Sequence, residues 1–379
     1  MIPLSLPNLS GNEWAYVKEC LDTGWISTAG SFVDKFEHEF AHYLGEKSAV
    51  SVVNGTSALH IGLQLLGVLK DEFVLMPNVT FVASANAISY VGAEPILIDI
   101  DPHTWQMNLE VLEDFLIANC RLDHSNTLVH KKTGRVIRAL MIVHVQGNMC
   151  DMDKLLSICN QYKLPILEDA AEALGSKYKN KYAGTIGDIG CFSFNGNKIM
   201  STGGGGMIVS SNEKYISRAK HLTTTAKRDS ETYFHDEVGY NYRLVNVLAA
   251  IGVAQLEQLE GFILSKINTA NYYRQTLEGI GDIQFQTVQT GIVSNEWLFT
   301  ITTSRMSELL HFMKSNGIMC RQFWVPMNQL PMYNSCIYVN KNDASDKIHR
   351  KALSLPCSTN ITKPELEQIT TQINSFFSR

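Results

Sequence analysis

The sequence predicts an α/β fold: a mostly parallel central sheet covered by helices, followed by a smaller α+β domain. Segments rich in β-branched residues alternate with helical segments in the N-terminal part of the chain, and this alternation is typical of parallel strands joined by crossover helices. After about residue 258 the pattern changes to shorter strands and separate helices, without a low-complexity linker or an internal repeat. We therefore predict a large domain over residues 1–258 and a small domain over residues 259–379.

Each predicted element has a local signal in the sequence. Apolar, β-branched runs indicate strands, and Asn-Gly-Thr-Ser at residues 54–57 indicates a helix start directly after the first strand. The predicted strands of the large domain cover residues 48–53, 73–76, 95–100, 136–143 and 165–169, and the predicted helices cover residues 54–66, 82–91, 153–162 and 246–257. For the small domain we predict a helix through residues 272–274, a strand over 297–301 and helices over 308–316 and 364–377.

Size and composition exclude several classes of function. The chain has 379 residues and a net charge of −5, without a basic stripe interleaved with aromatic residues, so we expect no nucleic-acid partner. No stretch approaches the ~20 apolar residues that span a bilayer, and the first residues lack a basic leader. The eight cysteines are scattered without a CxxC pair, which favours reduced thiols over a disulfide frame or a zinc site. We expect a cytoplasmic protein without a membrane partner or a metal.

One carboxylate and one lysine give the strongest chemical signal. Asp169 ends a buried strand, at the edge where parallel sheets bind ligands, and the two alanines after it leave room for a flat ring. Lys198 has apolar neighbours, whereas most lysines are solvated surface charges. A lysine amine can form an imine with an aldehyde, and a carboxylate can keep a pyridine nitrogen protonated. The pair therefore predicts a site for pyridoxal 5′-phosphate (PLP); the alternative for Asp169 is a helix cap or a loop carboxylate.

Small and hydroxyl-bearing residues offer a place for the phosphate. Residues 54–57 stand at a helix N-terminus, where free N–H groups and the helix dipole favour an anion; the alternative is a plain helix cap. Ser193 offers a further hydroxyl group shortly before Lys198. Phe81 either stacks on the pyridine ring or belongs to the core.

Two further segments have both a functional and a plain interpretation. The glycine run at residues 203–206 would let the backbone pass close to a ligand, and its alternative is a flexible turn. It does not match the GxGxxG pattern of a dinucleotide site. Residues 239–243, Gly-Tyr-Asn-Tyr-Arg, form either a loop that carries polar groups toward a phosphate or a surface loop with two tyrosines.

Four segments together resemble the DegT/DnrJ/EryC1/StrS family of PLP-dependent sugar aminotransferases. They are residues 54–60, 168–171, 193–198 and 239–243, and the resemblance extends over nearly the whole chain. It implies the aspartate-aminotransferase fold, known as fold type I, with PLP bound to the large domain. It also implies a homodimer with two active sites at the subunit interface.

The resemblance implies a role for each residue of the site. Lys198 is the implied catalytic, Schiff-base lysine, and Asp169 is the implied partner of the pyridine nitrogen. Phe81 and Ala171 are implied on opposite faces of the ring. The implied phosphate ligands are Gly55, Thr56, Ser57 and Ser193, with Asn241 supplied by the neighbouring subunit. Glu172 takes the place of the His or Gln of many members, at a position that in relatives lies near the sugar or the cofactor oxygen.

Other stretches resemble the branch of the family that aminates nucleotide-linked 4-keto sugars for bacillosamine and legionaminic acid. They are residues 8–14, 22–27 and 194–198. The implied reaction transfers an amino group from L-glutamate to UDP-2-acetamido-2,6-dideoxy-hexos-4-ulose, in the synthesis of a surface polysaccharide or glycan. The candidate sugar contacts are Trp25, His144, Lys227 and Asn328, the last in place of the His of many members.

Three other functions stay open at this point. An aminotransferase of this kind could act on another GDP- or dTDP-linked 3- or 4-keto sugar, as in perosamine synthesis. A PLP-dependent sugar dehydratase is opposed by Lys198, since such relatives carry His at that position. A non-enzymatic regulator that binds PLP or a sugar nucleotide is opposed by the intact pair of Lys198 and Asp169.

Overall fold

The computed structural model describes residues 1–229 and 231–378. The α-helices of these residues are α1 (Glu13–Thr23), α2 (Ser31–Leu44), α3 (Gly55–Leu65), α4 (Ala83–Tyr90), α5 (Leu109–Asn119), α6 (Met152–Tyr162), α7 (Glu213–Thr223), α8 (Asn246–Leu256), α9 (Leu259–Leu277), α10 (Met306–Ser315), α11 (Ala344–Lys351) and α12 (Lys363–Phe377). Five of them begin at a side chain that accepts a hydrogen bond from the first turn: Asn54, Asn108, Asp151, Asn212 and Thr362. Such oxygen-bearing residues are the preferred N-caps.

The strands of the described residues are β1 (Ala49–Val52), β2 (Phe73–Pro77), β3 (Glu94–Ile98), β4 (Cys120–Leu122), β5 (Leu128–His130), β6 (Ile137–Val143), β7 (Ile166–Asp169), β8 (Lys177–Tyr178), β9 (Lys181–Tyr182), β10 (Ile189–Ser193), β11 (Gly206–Val209), β12 (Gln284–Phe285), β13 (Ile292–Val293), β14 (Phe299–Thr302), β15 (Arg321–Gln322), β16 (Tyr338–Val339) and β17 (Ala352–Leu355). The central sheet has eight of them in the order β1-β11-β10-β7-β6-β2-β3-β16. Only β11 runs antiparallel to its neighbours. The predicted mostly parallel sheet is confirmed.

Strand β2 shows why this sheet must be covered on both faces. Successive side chains of a strand point to opposite faces. Phe73 and Leu75 pack into one hydrophobic cluster, while Val74 and Met76 pack into a second cluster on the other face. All four are buried, which is the pattern of a parallel strand between two helical layers.

The predicted elements match the structure closely where the periodicity was clear, and they differ in two informative places. The strand predicted over residues 95–100 ends at Ile98, because the Asp99 carboxylate accepts hydrogen bonds from the first N–H groups of α11. The strand predicted from residue 297 begins at Phe299, because Trp297 turns into an irregular segment held by Asn295. Helices α1, α2, α5, α7 and α11 were not among the predicted elements.

A second, antiparallel sheet has the order β12-β14-β17-β15. Its buried residues share a separate cluster with α9, α10 and α12, in which the ring of Tyr273 stacks on Phe299. The domain boundary at residue 258 stays a prediction. Helix α9 begins at Leu259, but β16, which comes much later in the chain, completes the central sheet beside β3.

Two general features complete the fold. All eight cysteines are free, and only Cys336 is not fully buried. Within the described residues no single helix has both the length and the apolar character that crossing a membrane requires; α8 and α9 meet both criteria only as a pair, across a bend of 59°.

Candidate active site

A cavity of about 480 Å³ lies at the carboxyl ends of the central strands. Its large-sheet wall consists of cavity-lining residues at or after the ends of β1, β2, β6, β7 and β10, among them Gly55, Asp169, Glu172, Ser193 and Lys198. Its small-sheet wall consists of residues 321–324 and Ser354 together with the N-terminal residues 3–6. The ends of parallel strands meet at one edge of a sheet, which is where such folds bind ligands.

Asp169 is the last residue of β7 and is buried. One carboxylate oxygen accepts a hydrogen bond from the Ser84 hydroxyl at 2.7 Å, and the other accepts the N–H of Ala171 at 3.1 Å. Burial raises the pKa of Asp169, against the opposite effects of Ser84, Ala171 and the charge of Lys198. A buried carboxylate of this kind is stabilised by a cationic partner in the cavity.

Lys198 lies in the loop that follows β10, with 11% of its side chain exposed. Its Nζ atom is 3.7 Å from Oε1 of Glu172 and 4.3 Å from the centroid of the Trp297 ring. The Trp297 indole N–H donates to the backbone carbonyl of Asn197 at 2.7 Å. Trp297 therefore holds the loop that carries the lysine and covers the amine, because the cation is attracted by the face of the ring.

Glu172 gives the cavity a second buried carboxyl group. Burial raises its pKa to about 7, although the charge of Lys198 and the backbone N–H of Gln146 lower it. That N–H donates to Oε2 at 2.8 Å, and Gln146 takes a left-handed backbone conformation with φ of 60° to present it. Because this pKa lies near neutrality, both the protonated and the ionised form of Glu172 are populated at neutral pH.

The start of α3 forms one end of the cavity. The Asn54 carboxamide accepts the N–H of Ser57 at 2.8 Å, so Asn54 is the helix cap. Gly55 and Thr56 line the cavity, and their N–H groups lie in a first turn that has no intrahelical acceptors. A Cβ atom at Gly55 would come within 2.7 Å of the Cβ of Ser193. Only glycine therefore allows the helix start and the end of β10 to approach this closely.

Phe81 and Ala171 both line the cavity. Phe81 is 52% exposed, which leaves its ring available to a ligand. The glycine run at residues 203–206 passes beside the same end, and a Cβ at Gly206 would approach the backbone carbonyl of Asn54 to 2.6 Å. The structure therefore leaves room for a ligand beside these residues, as their functional interpretation requires.

Several predicted contacts lie outside the cavity of this chain. His144 corrects the sequence-based expectation of a sugar contact: its side chain is fully buried, with Nε2 2.7 Å from Glu168. Asn328 exchanges two hydrogen bonds with Asn78, at 2.9 and 3.0 Å, and does not line the cavity. Ser57 also lies outside the lining, behind its helix cap.

The remaining predicted residues are on the surface of the chain. Trp25 is 59% exposed, and Asn241 is exposed in the loop before α8. Lys227 is partly buried, with Nζ 4.7 Å from the centroid of the Tyr233 ring. None of the three lines the cavity of the described residues.

Glu168 has a structural task that the sequence did not indicate. Its carboxylate accepts the N–H groups of Gly184, Ile186 and Gly187 at 2.5–2.8 Å, as well as the contact from His144. Burial opposes its ionisation, but His144 and these N–H groups outweigh burial and lower the pKa of Glu168. Glu168 thereby fixes the loop of residues 184–187. This loop lies behind Asp169, the residue that follows Glu168 in the sequence.

The cavity residues that were not predicted include four with a clear role in its geometry: Ser84, Gln146, Trp297 and Arg321. Ser84 is 85 positions from the carboxylate that it contacts. None of the four belongs to a recognisable motif. The only available signal was for Ser84, which falls in the segment around Phe81 and near the end of a predicted strand.

Comparison with known proteins identifies the class. Residues 7–374 match the DegT/DnrJ/EryC1/StrS aminotransferase family, and the chain belongs to this family. GDP-perosamine synthase of Escherichia coli O157:H7 is 36% identical over 380 residues, which cover 100% of this chain and 99% of that protein. EpsN of Bacillus subtilis (strain 168), whose name marks it as a candidate pyridoxal phosphate-dependent aminotransferase, is 35% identical over 370 residues, which cover 96% of this chain and 92% of EpsN.

The solved structures agree with this assignment. DesV of S. venezuelae matches with a TM-score of 0.88 at 27% identity, covering 97% of this chain and 95% of DesV. The chain is therefore a PLP-dependent aminotransferase of fold type I, in a family of sugar aminotransferases. The implied family, fold, enzyme class and cofactor are confirmed. The bacillosamine branch is not singled out, because a similar relative is a GDP-perosamine synthase.

Proposed function

We propose that this enzyme transfers an amino group from L-glutamate to a nucleotide-linked 4-keto-6-deoxy sugar. The single observation that supports it most strongly is the Lys198 amine, 3.7 Å from Glu172, in the same cavity as the buried Asp169 carboxylate. The first candidate acceptor is GDP-linked, because GDP-perosamine synthase is similar over the full length of the chain. The second is UDP-linked 2-acetamido-2,6-dideoxy-hexos-4-ulose, favoured by the resemblance of residues 8–14, 22–27 and 194–198 to that branch.

The residues of the large-sheet wall fit PLP. The first turn of α3, through Gly55 and Thr56, and the hydroxyl of Ser193 would hold the phosphate. Asp169 would hold the pyridine nitrogen, and its need for a cationic partner supports that assignment. Phe81 and Ala171 would flank the ring, and Lys198 would bond to the aldehyde. When bound, PLP supplies an electron sink for the negative charge that develops at carbon as the nitrogen is transferred.

Lys198 is the proton carrier in this proposal. With cofactor and donor bound, the Nζ of Lys198 would act as the general base that takes the proton from the α-carbon of the donor. Glu172, with a pKa of about 7 and Oε1 at 3.7 Å from Nζ, places a titratable carboxyl group beside this amine. The Trp297 ring at 4.3 Å limits access of water to this amine.

We propose a cytoplasmic homodimer in which Asn241 reaches the phosphate of the neighbouring site. Asn241 is exposed, and its loop is anchored by the buried ion pair of Arg243 with Glu37. Exposed apolar side chains, including Trp14, Trp25 and Phe234, offer surface that association would bury. The eight free thiols agree with a reducing compartment.

An assay with purified components tests the reaction. The enzyme is incubated with PLP, L-glutamate and either a GDP-linked or a UDP-linked 4-keto-6-deoxy sugar, and the products are identified by mass spectrometry. We expect an amino sugar nucleotide and one equivalent of 2-oxoglutarate, with a clear preference for one nucleotide. Release of ammonia without a requirement for glutamate would instead establish a dehydratase.

Mixed subunits test the role of Asn241. Lys198→Ala and Asn241→Ala dimers are each expected to be impaired, but a hybrid dimer would contain one site with both an intact lysine and an intact asparagine. Mixing the two variants after reversible dissociation should therefore restore activity to one site in each hybrid. Failure of complementation, with hybrid formation verified by mass spectrometry, would mean that Asn241 does not act across the interface.

A further inference from the structure

One cationic side chain of the cavity has no partner. The charged residues that line the cavity are Asp169, Glu172, Lys198 and Arg321. The first three are buried or nearly so, and Lys198 is paired with Glu172. Arg321 is exposed on the small-sheet wall, and no ion pair or side-chain hydrogen bond engages its guanidinium among residues 1–229 and 231–378. A guanidinium presents a rigid fork of donors, so this one is available to an anion that enters from solvent.

The position of Arg321 is fixed by the strand that carries it. Residue 321 lies opposite Ser354 in the pairing of β15 with β17. The Ser354 hydroxyl is 2.7 Å from the Thr300 hydroxyl, which accepts the Gln146 side-chain N–H at 2.7 Å. Gln146 in turn holds Glu172 through its backbone N–H at 2.8 Å. A continuous series of short hydrogen bonds therefore joins the strand of Arg321 to the carboxyl group beside the reacting lysine.

We propose that Arg321 binds a carboxylate of the amino donor and so determines which donor is accepted. The inference rests on the proposed function, because it assumes that a dicarboxylate such as L-glutamate enters this cavity. The guanidinium of Arg321 matches the two oxygens of a carboxylate and can bind them bidentately. The site already holds two buried carboxyl groups, so a dianionic donor needs an opposing positive charge.

The chemistry of the two substrates favours the donor over the sugar nucleotide. In an amino acid, the α-carboxylate is attached to the carbon that bears the transferred nitrogen, and the second carboxylate of glutamate is only a few bonds away. In a sugar nucleotide, the whole sugar ring separates the diphosphate from the keto carbon. The wall that carries Arg321 is joined to Glu172 through the side chains of Ser354, Thr300 and Gln146. An anion contact on this wall therefore suits the carboxylate of the amino donor better than the diphosphate of the sugar nucleotide.

Direct binding provides the test, independently of turnover. Glutarate, an unreactive dicarboxylate, is titrated into the PLP-loaded enzyme by calorimetry, and GDP and UDP are titrated separately. Arg321→Gln removes the charge but keeps a polar side chain. We expect it to weaken glutarate binding by ~10- to 100-fold, the usual worth of a hydrogen-bonded charge, while nucleotide binding stays unchanged. Arg121→Gln, an exposed arginine of β4 outside the cavity, is the matched control and should change neither.

The opposite results overturn the inference. Unchanged glutarate binding in Arg321→Gln would exclude Arg321 from donor recognition, and a larger loss for the nucleotides than for glutarate would assign Arg321 to the diphosphate. Should Arg321→Gln not fold, as judged by circular dichroism, Arg321→Lys answers the same question, because an ammonium keeps the charge but not the fork. Its glutarate affinity is then expected to fall below that of wild type.

The same measurements separate this inference from the proposed function. If the wild-type enzyme binds glutarate through Arg321 but aminates neither sugar nucleotide, the proposed acceptor is wrong and the donor site stands. If the wild-type enzyme aminates a sugar nucleotide with glutamate but its affinity for glutarate does not depend on Arg321, the proposed function is supported and the proposed donor site is wrong.

Discussion

The two walls of the cavity differ in how far the protein satisfies their polar groups. On the large-sheet wall, Asp169 and Glu172 are buried and each accepts defined hydrogen bonds, from Ser84, Ala171 and Gln146. On the small-sheet wall, Arg321 is exposed and has no partner among the described residues, and its neighbours Phe323 and Trp324 are aromatic.

This difference separates the residues that carry out the chemistry from the residue that selects the substrate. A group that must exchange a proton at a defined atom is held in place before the substrate arrives, which costs no reorganisation during the reaction. A group that recognises a ligand must keep its donors free until the ligand binds. Substitutions on the large-sheet wall should therefore lower the rate, whereas substitutions at Arg321 should alter affinity for one substrate.

The largest expected effect is at Lys198. Lys198→Ala removes both the amine that bonds to the cofactor and the proton carrier, and should reduce turnover by roughly 10²- to 10⁴-fold or more. Steady-state product formation measures it. Lys132→Ala, an exposed lysine outside the cavity, is the control and should leave turnover intact. Turnover near the wild-type rate in Lys198→Ala would show that Lys198 is not the catalytic residue of this site.

The next effect is at Asp169, which tests whether its charge matters or only its hydrogen bonds. Asp169→Asn keeps the shape but cannot neutralise a pyridine N–H cation, and should lower kcat by ~10²- to 10³-fold. Ser84→Ala keeps the charge and removes one hydrogen bond to it, which is worth ~1.5–3 kcal/mol, so its loss should be smaller than that of Asp169→Asn. Equal losses in the two variants would contradict an electrostatic role for Asp169.

Glu172 makes stability depend on pH. Burial raises its pKa from 4.5 to about 7 in the folded chain, so between these values the native state binds a proton that the unfolded state has released. Stability therefore falls as pH rises through this window, by up to about 3 kcal/mol for one such group. Urea unfolding of the cofactor-free protein at pH 5, 6 and 7 measures the slope.

Glu172→Gln is the variant that isolates this group. It cannot titrate, so its slope between pH 5 and 7 should be smaller than that of the wild type. Asp153→Asn, at an exposed carboxylate paired with Lys179 outside the cavity, should retain the wild-type slope in this window. If Glu172→Gln and the wild type have the same slope, Glu172 does not retain a proton near neutrality.

The smallest effect concerns the phosphate end of the large-sheet wall. Gly55→Ala places a Cβ 2.7 Å from that of Ser193, and such overpacking costs ~1–3 kcal/mol. We expect weaker retention of PLP, measured by loss of cofactor absorbance during dialysis. At Gly196, near the lysine, an added Cβ meets nothing within 4 Å, so Gly196→Ala should retain PLP as the wild type does.

Local sequence signals predicted the part of the site that follows directly from strand ends. The helix start at residues 54–57 and the strand end at Asp169 agree with the structure because each comes at the end of an apolar run, and parallel strands bring their carboxyl ends to one edge. His144 also follows a predicted strand, but its side chain points to Glu168 and not into the cavity. Position at the end of a strand does not determine which way a side chain points.

The sequence by itself determined the parallel sheet, the lysine and carboxylate with their cofactor, and the glycine at the start of α3, since each depends on residues close together in the chain. Tertiary structure alone decided that Ser84 supports Asp169, that Trp297 covers Lys198 and that Arg321, on the opposite wall, pairs with none of residues 1–229 and 231–378. These contacts join segments far apart in sequence, and only the packing of the two sheets around one cavity brings them together.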